Sequence, residues 1–159
     1  MGKIDETWQA AAGDIIVPDQ FLAVIGQHID RGGRVFIGCD SNVNGLTCTY
    51  ATAVALYDEA DKIGGRYFYQ RVKLPFDTKT SLRVRLMAEA TRAIELALEM
   101  QSIFPNAQIE IHLDVSQIKE NKSNAVADQV AGYARAAGFS CKLKPDSWAS
   151  SCIADEHTR

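Results

Sequence analysis

The spacing of apolar positions changes period several times along the 159-residue chain, and each change predicts an element. Phe21, Leu22, Ile25 and Ile29 recur at helical spacing after Pro18-Asp19, and Gly32-Gly33 stops that helix. The residues before it, to about Val17, carry weak signals and read as an irregular arm. Arg34–Asp40 reads as a buried strand running into a turn. Thr47–Tyr57 and Arg66–Leu74 are rich in β-branched and aromatic residues. The Asn-Gly and Gly-Gly signals in the connections at 41–46 and 58–65 make the three strands an antiparallel meander.

From Thr80 to about Gln101 the period becomes 3.6, with Leu82, Leu86, Ala93, Ala97 and Met100 on one stripe, and Pro105-Asn106 ends the helix. Gln108–Val115 alternates as a strand. A polar loop at 116–122 leads to a helix with Ser123 as its N-cap, an inner stripe of Val126, Val130, Tyr133, Ala134 and Ala137, and a stop at Gly138. Phe139–Lys144 reads as a short strand, and Asp146 as the cap of a last helix reaching Asp155. The order βββαβαβα implies an α/β protein: a mixed five-stranded sheet with helices on both faces and an extra N-terminal helix. The chain length favours one folded unit, with residues 1–33 as arm and helix and 34–159 as the main domain.

Composition narrows the function classes. Hydrophobic residues make up 47% and charged residues 23%, which fits a globular chain and excludes a disordered one. The formal charge of −3 provides no global basic field, so binding to a polyanion must rest on a local basic patch or on bound cations. Cys39, Cys48, Cys141 and Cys152 form no C-x-x-C pair, which removes support for a zinc or thioredoxin-type site. They read as reduced thiols of a cytoplasmic protein. No apolar run approaches the ~20 residues that span a bilayer.

The chemistry lies in the acids. Asp40 ends the first strand of the meander and Asp114 sits near the end of the fourth strand. If these strands are parallel neighbours, both carboxylates meet at the sheet edge where open α/β sheets hold ligands. Each alone could cap a turn, but two like charges at close range need a cation. On a projection of the long helix at about 100° per residue, Glu89 falls about 20° from Leu82, on the sheet side, whereas Glu95 and Glu99 turn to solvent. Glu89 could instead pair with Arg85 or Arg92. Three acids at one sheet edge describe a site for Mg²⁺ or Mn²⁺, and two such ions would support in-line attack on a phosphodiester.

The acid-bearing order of elements resembles the ribonuclease H-like superfamily. The segments IGCDSNV at 37–43, IEIHLDV at 109–115 and KPDSWASSCIAD at 144–155 resemble the YkuK-like, ribonuclease H-related family. That resemblance implies a metal-dependent nuclease with a site of Asp40, Glu89, Asp114 and Asp146, in which Asp40 bridges two ions. The last helix also offers Asp155. Nine residues separate the two, ~13.5 Å along a helix axis, so one rigid helix cannot bring both to the same ions. Asp146 is preferred, as the residue that follows the fifth strand.

Other side chains are open to two readings. Ser41 and Asn42 suit a phosphate contact or a simple turn; His112 suits the border of the site or a satisfied sheet position. His157 suits leaving-group protonation or a frayed end, and Trp148 base stacking or core. Lys79, Arg83, Arg85, Lys119 and Lys122 could track a nucleic-acid backbone. The alternative to a nuclease is a nucleic-acid- or protein-binding module that keeps the fold without hydrolysis.

Overall fold

The computed structural model of the chain describes residues 2–57, 66–116 and 124–158. The turn expected at 58–65, the cap at Ser123, and Lys119 and Lys122 lie outside these residues. The elements are β1 (Trp8–Ala10), β2 (Ile15–Ile16), α1 (Pro18–Asp30), β3 (Arg34–Asn44), β4 (Thr47–Tyr57), β5 (Arg66–Pro75), α2 (Leu82–Ile103), β6 (Ile109–Ser116), α3 (Asn124–Ala136) and β7 (Ser140–Lys144). A π-helical segment, Ala149–Ala154, and a 3₁₀ turn, Asp155–His157, follow.

One sheet runs β2-β1-β5-β4-β3-β6-β7. β3, β4 and β5 form the antiparallel meander, and β6 and β7 join β3 in parallel. The sheet therefore has seven strands rather than the five expected. The two extra strands come from the arm, where β1 pairs β5 through Gln9↔Tyr69 and Ala10↔Phe68. Strands of two or three residues are too short to display an alternation, so their register is set by partners and not by their own pattern.

The alternation along β3 sorts its two faces. Val35, Ile37 and Cys39 join Leu86, Ala93, Ile94 and Val130 in the main core beneath α2 and α3. Phe36 turns the other way, packing with Ala55 and Ala149 of the C-terminal segment. Between them Gly38 gives that segment its clearance: a Cβ there would lie 2.5 Å from the Ser150 nitrogen. Ser81 starts α2, its Oγ accepting from the Val84 N–H at 3.2 Å. Glu95 and Glu99 do not simply face solvent. Glu99 accepts from the N–H groups of Lys3 and Ile4 at 2.9 and 3.0 Å, and Glu95 pairs with Lys3 Nζ at 2.7 Å. Among the described residues, no helix is long and apolar enough to cross a membrane.

Candidate active site

β3 and β6 pair from Val35↔Ile109 to Cys39↔Leu113. Asp40 and Asp114 are the next residues of each strand, so they stand side by side where the parallel pairing ends. β3 itself continues to Asn44 against β4, which keeps the Asp40 backbone within a strand rather than in a turn. α2 brings Glu89 to the same place from the core side, where it is 5% exposed. Asp155, at the end of the π-helical segment, reaches Asp40 from the opposite face and shares a hydrogen bond with it.

Asp146, the expected fourth acid, is not brought to this cluster. Asp146 lies exposed in the turn after β7, its N–H bonded to the Leu143 carbonyl at 2.8 Å. The chain there doubles back before it becomes helical: Trp148 packs on Phe36 at 4.8 Å between ring centroids, and the Ala149 N–H donates to His112 Nδ1 at 3.1 Å. The segment then climbs back over Gly38 towards the acids, so its far end, not its start, meets Asp40.

Electrostatics record how crowded the cluster is. Burial, the hydrogen bond with Asp155 and the charge of Asp114 push the Asp40 carboxyl up from 3.8 to about 7. Burial and the neighbouring Asp40 hold Glu89 well above its ordinary value, against the opposing charge of Arg85. A hydrogen bond also links Asp40 and Glu89 directly. Among the described residues, no group of three or more His, Cys, Asp or Glu side chains stands ready to hold a metal. Lys144 Nζ lies 2.9 Å from Asp114 Oδ1, outside hydrogen-bonding alignment.

Even so, the donors fit a hard divalent cation. Glu89 Oε2, Asp114 Oδ1 and Ser41 Oγ are buried and lack a hydrogen-bond partner. Unsatisfied buried oxygens are costly, and carboxylate and hydroxyl oxygens are the ligands that Mg²⁺ and Mn²⁺ take. The cationic alternatives for Glu89 are only partly used: Arg92 lies over the Tyr50 ring at 4.8 Å, and Arg85 Nε is itself buried without a partner.

The remaining candidates separate. His112 is fully buried, accepting from Ala149 through Nδ1 and meeting Glu110 Oε2 at 2.9 Å through Nε2, so it is a satisfied sheet histidine. Glu110 and Lys144 were not legible as neighbours of these groups, because only the β3–β6–β7 register brings them there. His157 is packed rather than frayed: its ring stacks on Tyr69 at 3.6 Å and its Nε2 meets the Tyr67 hydroxyl at 3.0 Å. Arg83 bonds Gln129 at 2.8 Å, and Lys79 is exposed in the turn before α2.

Residues 17–159 match the family model described as Ribonuclease H-like. No curated protein and no solved structure gives a match. That family model points to a role in nucleic-acid chemistry, within a superfamily that is typically hydrolytic. The match spans nearly the whole chain and agrees with the mixed sheet and its acid-lined edge: the chain belongs to the ribonuclease H-like family.

Proposed function

We propose that this chain is a divalent-metal-dependent nuclease that hydrolyses phosphodiester bonds of nucleic acid by a two-metal mechanism. The observation that carries the reading is the gathering of Asp40, Glu89, Asp114 and Asp155, with a buried Glu89 oxygen that has no hydrogen-bond partner and an Asp114 oxygen met only by the Lys144 ammonium. These four carboxylates would hold the ions. Bound Mg²⁺ or Mn²⁺ would supply positive charge at the phosphate and a more acidic water.

The chain's own groups have distinct tasks. Asp40 stands between two other acids and must give up its proton before it can serve as a ligand, as must Glu89. Arg85 beside Glu89 and Lys144 beside Asp114 supply fixed positive charge at the rim.

A second reading, a binding module without hydrolysis, draws on Lys144, whose ammonium already offsets the charge of Asp114. Labelled RNA, DNA and hybrid strands incubated with Mn²⁺, Mg²⁺ or a chelator separate the two. The nuclease reading expects Mn²⁺-dependent cleavage that Asp40→Asn and Asp114→Asn each reduce by about a hundredfold or more. Nucleic-acid binding with no Mn²⁺ uptake by calorimetry and no cleavage would establish the second reading.

A further inference from the structure

The sheet face that carries Asp40 continues across β4 and β5, and there its charge changes sign. Register sets Asp40 opposite Ala51 and Ala51 opposite Arg71; two residues along, Asn42 lies opposite Thr49 and Thr49 opposite Lys73. Directly paired residues project from the same face, and neighbouring strands are ~4.8 Å apart. Arg71 therefore springs from a point about 10 Å from Asp40, two strands over, with Lys73 just beyond.

The C-terminal segment covers only part of this face. Ile153 and Ala154 pack on Ala51 and Ala53, whereas Asn42, Arg71 and Lys73 remain exposed. Neither Arg71 nor Lys73 has an acidic partner among the described residues, in contrast to Lys3, Arg34 and Lys144. A groove of about 310 Å³, lined by Thr7, Gln9, Ile15, Gln70, Arg71 and Lys73, extends the surface along the outer side of β5. Here β1 pairs only with Phe68 and Tyr69, so β5 beyond Gln70 meets no strand on that side among the described elements.

We propose that Asn42, Arg71 and Lys73 form the backbone-phosphate track of this site, so that a nucleic-acid strand leaves the acids across β4 and β5 rather than over the start of α2. The proposal rests on the nuclease reading and adds the direction of the substrate. A separation of about 10 Å places Arg71 and Lys73 beyond the phosphate that is cut, so they contact its neighbours along the strand. Uncompensated cations suit this role: each releases a counterion from the strand without first breaking an ion pair in the protein.

The test uses the full chain carrying Asp40→Asn to prevent cleavage, with Mn²⁺ present. Its ligands are labelled RNA and DNA strands, each alone and annealed to one another. Adding Arg71→Gln with Lys73→Gln should weaken binding about tenfold and flatten the plot of log affinity against log salt by ~1.4 to 1.8. Lys79→Gln with Arg83→Gln, at the start of α2, should change both by far less. Unchanged binding in the first pair, or a larger loss in the second, overturns the track while leaving the nuclease reading standing. If the unmodified protein neither binds nor cuts any of these strands, the nuclease reading falls and the track with it.

Discussion

A carboxyl held at about 7 keeps a proton that the unfolded chain has already released, so Asp40 ties stability to pH. Between pH 4 and pH 7 the folded state binds more protons at this group than the unfolded state does. Unfolding free energy therefore falls as pH rises through that window, and the span from 3.8 to about 7 corresponds to at most about 4 kcal/mol. Asn at position 40 cannot ionise. Urea unfolding should then find Asp40→Asn close to the parent near pH 4 and more stable by about 2–4 kcal/mol near pH 7.5; parallel pH profiles would show that the carboxyl is not strained by its surroundings. A comparison of glutamates belongs to the same scale. Glu89→Gln should weaken Mn²⁺ binding at least tenfold by calorimetry, whereas Glu95→Gln removes only a half-exposed pair with Lys3, worth ~0–1 kcal/mol, and should leave Mn²⁺ binding alone. Glu89 was legible because α2 is a regular helix and a 3.6-residue projection predicts its inward face. The partners of Glu99 were not, because the N–H groups of Lys3 and Ile4 come from a segment whose path no periodicity announces.

That Asp155 and not Asp146 lies beside Asp40 is a matter of elements. Sequence reading begins the last helix at the first capping residue after β7, and on that premise Asp146 points to the acid edge. The segment instead begins after Trp148 has packed on Phe36 and the Ala149 N–H has met His112, and it winds as a π-helix whose spacing a 3.6-residue pattern does not encode. Both anchors belong to the sheet, so the decisive information is tertiary. Asp155→Asn should abolish Mn²⁺-dependent cleavage while Asp146→Asn retains it within about twofold; the reverse pattern would return the fourth position to Asp146. Gly38 offers a way to move the whole element. A methyl group there meets the Ser150 nitrogen and the Ala149 carbonyl carbon at 2.5 and 2.6 Å, atoms of backbone that cannot rotate away. Gly38→Ala should cost about 1–3 kcal/mol by overpacking and lower Mn²⁺ affinity by displacing Asp155, though it removes no acid. Destabilisation with unchanged affinity would mean that Asp155 is not held in place through this contact.

At the scale of the whole molecule, the N-terminal arm decides where the folded unit begins. The sequence sets residues 1–33 apart from the main domain, and only α1 was legible there as an element. In the structure the arm is built into the same core. Trp8 is fully buried, its ring stacked on Phe21 of α1 at 4.3 Å, and Phe21 in turn meets Phe68 of β5 edge-on at 5.5 Å. Gln70 donates from Nε2 to the Lys3 carbonyl at 3.1 Å, and Glu99 of α2 holds the backbone of Lys3 and Ile4. These contacts join the arm to β5 and to the helix that carries Glu89, so unfolding the arm exposes core shared with the rest of the sheet. Trp8→Ala removes a large buried ring whose cavity the sheet and α1 cannot fill without moving, and should cost about 3–5 kcal/mol. If the chain is one cooperative unit, that loss lowers the midpoint of a single urea transition observed alike by far-ultraviolet circular dichroism and by the fluorescence of Trp148, which then remains as the only tryptophan. Mn²⁺ should raise the midpoint of parent and variant alike, because an ion bound at the acids stabilises everything that folds with them. An early transition by circular dichroism, followed by a Trp148 transition at the parent midpoint, would instead make the arm a separate layer and place the start of the folded unit at β3.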